Sequence, residues 1–203
     1  MKQTPLHVVK VGGSLFDLPD LGQQLRRWLD HWKTPRTVLI PGGGLAADAV
    51  RAFDRAQHLG EEAAHWLALE AMRFNVSLLA TVLPNSGRAT DLGECESCWD
   101  GGRTPILDVL PFMTFDDSNP ARLPHSWQVT SDSLAARVAE VWGADRLILL
   151  KSTALPVGLD WDEAGRRGLV DPCFGEVVRR GKLLVEAIDF RQWVGAASCN
   201  SEK

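Results

Sequence analysis

Short apolar runs alternate along the chain with longer amphipathic stretches. The runs Leu6–Val11, Thr37–Ile40 and Arg146–Leu150 predict buried strands. Apolar residues at helical spacing over Leu21–Trp32 and Glu61–Val82 predict helices between them. Strands that alternate with helices are typical of a parallel sheet with helices on both faces. The pattern therefore predicts an α/β fold, a three-layer αβα sandwich around a mainly parallel sheet.

Weaker cap and turn signals predict the remaining elements. In chain order these are an N-cap at Asp17, a helix over Ala46–Ala56 that buries Ala49, Val50 and Phe53, a loop over Pro84–Thr104, a strand over Ile106–Leu110, a helix from Ser131 or Asp132 to Trp142, a hairpin or loop over Ser152–Gly168, a helix from Asp171 to Arg180, a strand over Leu183–Ile188 and a frayed tail beyond Val194. No internal repeat or linker interrupts the series. We therefore expect one domain over residues 1–203.

Charge and composition narrow the classes of partner. The net charge is −4, and Lys and Arg form no basic stripe, so we expect neither nucleic acid nor an anionic membrane surface as a partner. No apolar run has the length that crosses a bilayer, and the N-terminus lacks the pattern of a signal peptide. Four cysteines in 203 residues favour reduced thiols over a disulfide framework. These features predict a cytoplasmic protein that acts on a small molecule.

The first candidate site follows the first strand, at Lys10, Gly12, Gly13 and Ser14. A glycine turn before a helix exposes backbone N–H groups, and the helix N-terminus adds partial positive charge, which together suit phosphate. Lys10 interrupts an apolar strand, and a buried ammonium is costly unless an anion pairs with it. The structural alternative is an ordinary turn with Lys10 on an exposed edge.

The second candidate site is Gly42, Gly43 and Gly44, which follow the second strand. Three glycines in a row cost backbone entropy, which indicates a steric need for them. Loops at the carboxyl ends of parallel strands form the ligand crevice of an open α/β sheet. Two glycine turns there predict one crevice with two anion-binding walls. A flexible turn is the alternative.

The third candidate site opens a helix at Thr130, Ser131 and Asp132. Ser131 or Asp132 can act as an N-cap. Alternatively, Asp132 holds Lys10 or a magnesium ion near a transferred phosphoryl group. Phosphoryl transfer depends mainly on positioning and charge neutralisation, so a lysine, backbone donors and a metal ion suffice.

These three segments, in this order and after these strands, resemble the amino-acid-kinase superfamily, which includes acetylglutamate, aspartate, uridylate and isopentenyl-phosphate kinases. The resemblance spans most of residues 6 to 151. It implies ATP and Mg²⁺ as cofactors, an acceptor half at about 1–125 and a shortened nucleotide half at about 126–195. It assigns the nucleotide phosphates to Lys10, Gly12, Gly13, Ser14 and Ser131, the acceptor to Gly42, Gly43 and Gly44, and the organisation of the lysine to Asp132.

A closer likeness is to the branch that contains the aminomethylfuran-methyl-phosphate kinase of methanofuran synthesis. It is carried by Gly42–Arg51, Ala64–Met72, Thr130–Ala136, Leu149–Ser152 and Val170–Phe174. The likeness implies ATP-dependent phosphorylation of a phosphomonoester, which gives a diphosphate.

The chain departs from larger family members near its C-terminus. Lys151-Ser152 stands where they carry a threonine-aspartate strand end, and their glycine-methionine-x-x-lysine helix has no counterpart here. Either Lys151 replaces the missing positive charge, or ATP binding is weak or lost.

Five other residues have a functional and a structural interpretation. Asp48 and Arg51 lie one helical turn apart, as a surface ion pair or as part of acceptor recognition. His65 lies in an apolar helix, which favours a hydrogen-bonded core or interface residue. Cys95 and Cys98 supply half of a tetrahedral zinc site, so we expect ordinary thiols and no metal there.

The leading hypothesis is thus an ATP-dependent kinase for a small phosphate- or carboxylate-bearing metabolite. The rival is a non-catalytic ligand-binding or assembly protein that keeps the fold. The long apolar helix Glu61–Val82 predicts a homodimer or a higher homo-oligomer.

Overall fold

A parallel sheet of six strands forms the centre of the part of the chain that the structure describes, which in this computed structural model is residues 4–156 and 158–199. The strands are β1 (Leu6–Val11), β2 (Arg36–Pro41), β3 (Ser86–Ala89), β4 (Thr104–Leu107), β5 (Arg146–Lys151) and β6 (Val185–Asp189). Their spatial order is β3-β4-β2-β1-β5-β6. The prediction of a mainly parallel sheet is confirmed.

Helices cover both faces of this sheet. They are α1 (Leu21–Trp32), α2 (Gly44–Gln57), α3 (Glu61–Val82), α4 (Leu92–Asp100), α5 (Val109–Asp116), α6 (Ser131–Trp142), α7 (Trp161–Arg166), α8 (Phe174–Gly181) and α9 (Phe190–Cys199). A short 3-10 helix at Gly13–Leu15 follows β1. Among the described residues, no helix has the length and hydrophobicity to span a membrane.

Successive side chains of each strand point to opposite faces of the sheet, and this divides the hydrophobic core into two clusters. Leu6 and Val8 of β1 pack in the cluster that contains α6 and α8, whereas Val9 and Val11 pack in the cluster that contains α1 and α9. Helix α3 contributes to both clusters. Lys10 takes the position after Val9, so its side chain points to the α6 face of the sheet.

The sheet order creates a crevice at the carboxyl ends of the strands. Strands β1 and β5 are neighbours in the sheet, and the strands that follow them in sequence, β2 and β6, lie on opposite sides of this pair. In open α/β sheets, the point where connections diverge is where ligands bind. The first two candidate sites lie at this edge, since β1 and β2 end immediately before Gly12 and Gly42. The third lies at the start of α6, where Asp132 contacts Lys10 of β1.

The predicted loop over Pro84–Thr104 is wrong, because this segment contains β3 and α4. Strand β3 pairs with β4 at the edge of the sheet, where pairing and burial override a weak strand propensity. Helix α4 begins after Asp91, whose side chain accepts a hydrogen bond from Glu94 N.

The buried face assigned to α2 is also wrong. Phe53 is 63% exposed, Ala49 is exposed, and Ala47 is the residue that α2 buries. The helix packs on α3 rather than directly on the sheet, so its apolar side chains remain at the surface.

Several element boundaries differ from the predictions. The residue before α1 is Asp20 and not the predicted Asp17. Strand β4 ends at Leu107 instead of Leu110, and Asp108 is the N-cap of α5. The stretch 152–168, predicted as a hairpin or loop, contains α7. Helix α9 extends to Cys199, beyond the expected fraying after Val194; residues 200–203 of that tail lie outside the described residues.

Candidate active site

Three charged side chains meet in the crevice between β1, β5 and α6. Lys10 Nζ lies 2.9 Å from Asp132 Oδ1 as an ion pair, and Lys151 Nζ donates a hydrogen bond to Asp132 Oδ2 at 2.8 Å. Lys10 and Asp132 are each about 5% exposed, so Lys10 does not lie on an exposed edge. Two ammonium groups thus share one buried carboxylate, and the trio carries one more positive than negative charge.

Burial and mutual charge set the protonation of this trio. Burial disfavours the charged form of Asp132, but the ammonium groups of Lys10 and Lys151 lower its pKa below the ordinary value. Burial also lowers the pKa of Lys151, which Asp132 opposes and the neighbouring charge of Lys10 reinforces. An added anion would relieve the repulsion between the two lysines, so the cluster favours a negatively charged ligand.

The start of α6 is organised by a residue that lies 39 positions further along the chain than Asp132. Asp171 Oδ2 accepts hydrogen bonds from Thr130 N (2.9 Å), Thr130 Oγ1 (2.8 Å) and Ser133 N (3.0 Å), and Oδ1 accepts from Ser133 Oγ. Burial raises the pKa of Asp171, while these hydrogen bonds lower it. The carboxylate of Asp171 thus accepts hydrogen bonds from neutral donors at the N-terminus of α6, whereas the carboxylate of Asp132 contacts the ammonium groups of Lys10 and Lys151.

The N-cap of α6 is Thr130, so the assignment of that role to Ser131 or Asp132 is wrong. Thr130 has an extended backbone, and its hydroxyl accepts a hydrogen bond from Asp132 N. Asp132 therefore sits in the first turn of the helix, with its carboxylate free to face the lysines.

The two glycine turns touch each other. A Cβ atom on Gly13 would lie 2.3 Å from Gly44 N, and one on Gly42 would lie 2.6 Å from Gly13 N. Gly44 has φ of +49°, a conformation that favours glycine, and its Cβ would lie 2.5 Å from Gly13 O. The run of three glycines is therefore a close packing of two backbones and not a flexible turn.

Asn75 of α3 holds the second turn in place. Its Nδ2 donates to Gly42 O at 2.7 Å and to Gly43 O at 2.8 Å, and the side chain is buried. This positioning residue was missed in the sequence, because an Asn within a long apolar helix carries no local signal for a distant turn.

A cavity of about 220 Å³ opens beside the turns. Its walls come from both glycine turns, from α2 and α3, and from the segment that leads into α6. Of the predicted site residues, the cavity is lined by Gly13, Ser14, Gly43, Gly44, Asp48, Arg51 and Ser131. Lys10, Gly12, Gly42, Asp132 and Lys151 do not line it; they form the adjoining crevice floor, where Ser14 Oγ donates to Ser152 Oγ at 2.9 Å.

Arg51 is held on the cavity wall by two neighbours. Its Nη1 donates to Asp48 Oδ1 at 2.9 Å, and its guanidinium lies 4.6 Å from the ring centroid of Trp127. Trp127 is itself fixed by a hydrogen bond from Nε1 to Asp54 Oδ2 at 2.7 Å. Asp48 and Arg51 thus form an ion pair, and both also line the cavity. Trp127 lines the cavity beside Arg51 and was not predicted from the sequence.

The remaining candidates divide between the cavity and the core. His65 is buried and lines the cavity, and its ring nitrogens make no hydrogen bond within the described residues, so it is not a hydrogen-bonded core histidine. Its alternative assignment as an interface residue stays a prediction. Cys95 and Cys98 are free thiols buried in α4, where burial raises the pKa of Cys95 to about 12. Within 4–156 and 158–199, no cluster of three or more His, Cys, Asp or Glu side chains is arranged to hold a metal ion.

The fold and this crevice define an α/β protein with a cluster of two lysines and one aspartate at the carboxyl edge of its parallel sheet. A model of the amino acid kinase family matches residues 5–154, and the chain belongs to that family. It is 30% identical over 149 residues to the [5-(aminomethyl)furan-3-yl]methyl phosphate kinase of Methanocaldococcus jannaschii. That match covers 71% of this chain and 64% of the relative, just under two thirds of its length.

Solved structures agree on the fold. Uridylate kinase from Archaeoglobus fulgidus superposes with a TM-score of 0.62 at 17% identity, over 95% of each chain. UMP kinase from Ureaplasma parvum superposes with a TM-score of 0.62 at 13% identity, over 92% of this chain and 91% of that one. Aspartate kinase from Synechocystis superposes with a TM-score of 0.57 at 16% identity, over 90% of this chain and 38% of that one. The predicted amino-acid-kinase fold is confirmed.

Proposed function

We propose that the chain is a kinase that transfers a phosphoryl group from ATP to the phosphate of a small phosphomonoester. One observation carries the proposal: a Lys10–Asp132–Lys151 trio with excess positive charge, in which Lys10 and Asp132 are buried and Lys151 is partly buried, adjoins two touching glycine turns. Such preorganised charge and backbone donors are what phosphoryl transfer requires of a protein.

The chain's own residues take distinct roles in this proposal. Lys10 and Lys151 offset the negative charge of the transferring phosphoryl group, and Asp132 orients both ammonium groups. The N–H groups of Gly13 and Ser131 add donors, with the N-terminus of α6 favouring an anion. Gly12 does not take the predicted phosphate-binding role through its N–H group, because that group donates to Leu150 O at 2.8 Å. Lys151 supplies the positive charge that the absent glycine-methionine-x-x-lysine segment would provide in larger relatives.

ATP and Mg²⁺ fit this crevice on the chemistry of its donors. The repulsion between Lys10 and Lys151 over one carboxylate is relieved by phosphate oxygens. Magnesium in such sites is usually held by nucleotide phosphates with one or two carboxylates, and Asp132 is the carboxylate nearest to the proposed phosphates. Bound ATP supplies the phosphoryl group: its bond to the ADP oxygen breaks as a bond to an acceptor phosphate oxygen forms, giving ADP and a diphosphate.

The acceptor occupies the 220 Å³ cavity in this proposal. The second glycine turn and the hydroxyl of Ser131 hold its phosphate towards Lys10. Arg51 has further N–H donors beyond the one given to Asp48, and these suit an oxyanion of the acceptor. Apolar side chains of Leu69, Met72 and Leu134 line the wall and suit a compact ring. A furan-methyl phosphate of the kind used in methanofuran-type cofactor synthesis satisfies these demands.

Thermal-shift titration with ATP–Mg²⁺ tests the proposal. We expect millimolar ATP–Mg²⁺ to raise the Tm of the wild type, and Lys10→Ala to remove most of that shift. Arg51→Ala is the matched control, since Arg51 lines the acceptor cavity and should leave the ATP shift intact. A coupled ADP-release assay with a furan-methyl phosphate then measures transfer.

The rival function, a ligand-binding or assembly protein without catalysis, rests on the departures near the C-terminus. It predicts no ATP-dependent shift and no ADP release with the phosphomonoester. Either result in an otherwise folded protein would sink the kinase proposal.

We further propose that the protein works in the cytoplasm as a homodimer joined through α2 and α3. Phe74, Leu78 and Val82 recur every four residues along α3, so they share one face, and Leu45 and Phe53 on α2 are also exposed. An apolar patch of this kind on a soluble chain is typical of an interface. Light scattering tests this: the wild type should have twice the chain mass and Phe74→Glu the mass of one chain, whereas a monomeric wild type excludes it.

A further inference from the structure

Arg191, the second residue of α9, contacts the first glycine turn from the C-terminal part of the chain. Its Nη2 donates to Ser14 O at 2.9 Å and also to Asp17 Oδ1. These partners lie 177 and 174 residues away in sequence, so no local pattern predicts the contact. Arg191 neither lines the acceptor cavity nor belongs to the lysine–aspartate trio, and its role has to be sought in the turn that it holds.

The short 3-10 helix at Gly13–Leu15 is only weakly stabilised by its own hydrogen bonds. No side chain in the described part of the chain caps its start. The N–H group of Phe16 reaches Gly13 O at 3.4 Å, which is long for a hydrogen bond. Glycine also adds conformational freedom to this segment. A turn of this kind needs partners from elsewhere in the fold to keep one position.

Later segments of the chain supply such partners. The N–H group of Gly12, at the base of the turn, donates to Leu150 O at 2.8 Å. At its tip, Ser14 Oγ donates to Ser152 Oγ at 2.9 Å, while Arg191 donates to the carbonyl oxygen of the same serine. An arginine suits this place, because backbone carbonyl groups at the end of a helix lack partners within it.

Helix α9 is a rigid support for Arg191. The preceding residue, Phe190, is fully buried and stacks on Trp193 with 5.7 Å between the ring centroids. The helix begins directly after β6, which pairs with β5 so that Asp189 lies beside Lys151. Arg191 therefore extends from an element whose position is fixed relative to a lysine of the proposed phosphate site.

We propose that Arg191 is a positioning residue for the nucleotide. It holds the first glycine turn where the N–H group of Gly13 and the ammonium of Lys10 meet the phosphates of ATP. It acts through Ser14 and does not itself touch the nucleotide. This inference rests on the proposed kinase function. It gives α9 a part in nucleotide binding in a chain that lacks the glycine-methionine-x-x-lysine helix of larger relatives.

Isothermal titration calorimetry of the full chain with ATP–Mg²⁺ tests this role. Arg191→Ala should raise the Kd about tenfold, as the loss of one charge-assisted hydrogen bond to the turn allows. A merely structural role would lower the fraction of folded chains, and hence the apparent number of sites, with the Kd of the remaining sites unchanged. Arg191→Lys keeps a donor for Ser14 O and should raise the Kd only about threefold.

Gln192→Ala is the matched control. Gln192 is exposed in the same turn of α9, and the bond that it gives to Asp189 Oδ1 comes from its backbone N, which the substitution keeps. Its Kd should equal that of the wild type. An unchanged Kd in Arg191→Ala overturns the inference, as does equal weakening by Gln192→Ala or a wild type that binds no ATP.

Hydrogen exchange measured by mass spectrometry separates positioning from direct contact with the nucleotide. In the protein without ligand, the peptide over residues 12–18 should exchange at least about fivefold faster in Arg191→Ala than in the wild type, because the turn opens more often. An unchanged rate overturns the positioning role even where the Kd rises. Failure of the kinase proposal has a different signature, namely no ADP release with a furan-methyl phosphate, and the Kd for ATP and the exchange rates then still decide the role of Arg191.

Discussion

Lys10 of β1 and Lys151 of β5 converge on the two oxygens of one carboxylate, at 2.9 Å from Oδ1 and 2.8 Å from Oδ2 of Asp132. The strands are neighbours in the sheet, and Asp132 enters from the first turn of the helix above them. Two cations on adjacent strands repel each other, so this arrangement depends on the carboxylate between them.

The first prediction follows from that dependence. Asp132→Asn removes the shared charge and leaves the buried ammonium of Lys10 and the partly buried ammonium of Lys151 unpaired, so it should lower the free energy of unfolding by about 3–5 kcal/mol. Adding Lys151→Met should restore part of this loss, because one of the stranded cations is removed. Urea denaturation of the four members of this double-mutant cycle measures the coupling; additive effects of the two substitutions contradict the pairing.

A second prediction concerns Asn75. Asn75→Ala leaves two buried carbonyl oxygens, those of Gly42 and Gly43, without their donor, so it should cost about 1–3 kcal/mol of stability. The second glycine turn should lose its position, and the KM for the acceptor should rise about tenfold with little change in the KM for ATP. Ser77→Ala on the same helix is the control, because Ser77 Oγ donates only to Arg73 O within the helix. Equal effects on both KM values would exclude a specific positioning role.

The third prediction separates backbone strain from crowding at the glycine turns. Gly44→Ala and Gly143→Ala both place a side chain at positive φ, +49° and +62°, which costs about 1–2 kcal/mol. Nothing lies within 4 Å of a Cβ on Gly143, whereas one on Gly44 would meet Gly13 O at 2.5 Å. Gly44→Ala should therefore lower the Tm clearly more than Gly143→Ala and should also weaken acceptor binding. Similar Tm values for the two variants would contradict the close contact of the two turns.

The fourth prediction is a pH dependence of stability that originates at His65. Its pKa is lowered to about 4 in the folded protein, chiefly by burial, and is about 6.5 in an unfolded chain. Between these values the unfolded state binds more protons, so the stabilisation present above pH 6.5 is lost as the pH falls towards 4. Replacement by Phe removes this titration.

Melting curves from pH 7.5 to 4.5 test it. The Tm of the wild type should fall with decreasing pH more steeply than that of His65→Phe. His31→Phe is the control, since His31 lies on α1 away from the cavity and should leave the slope of the wild type unchanged. Parallel curves for wild type and His65→Phe would place the pKa of the buried ring near its ordinary value.

Much of the crevice could be anticipated from local signals. A lysine inside the apolar strand Leu6–Val11 is out of place unless an anion meets it, and glycines directly after two buried strands indicate close approach of backbone. The rule that parallel strands end at one edge of the sheet then brings these segments together. For Asp132 the residues left two alternatives, an N-cap or a partner of Lys10 or magnesium, and the family resemblance favoured the second.

Other features had no local signal. Asp171 and Asn75 act on backbone groups that are 38 to 41 and 32 to 33 residues away along the chain, respectively. The segment Pro84–Thr104 looks like a loop because Gly and polar residues dominate it, yet pairing with β4 and a cap at Asp91 give it a strand and a helix. Side-chain partners at such separations are fixed by packing, which no window of sequence contains.

The sequence by itself determined five of the six described strands, the two glycine turns and their common edge, because hydrophobic periodicity and the steric freedom of glycine are properties of neighbouring residues. Tertiary structure alone decided which charges share Asp132, which face of α2 remains exposed, and that His65 meets a cavity instead of a partner. These outcomes depend on distances between elements that are far apart in the chain, where burial and electrostatics act through space.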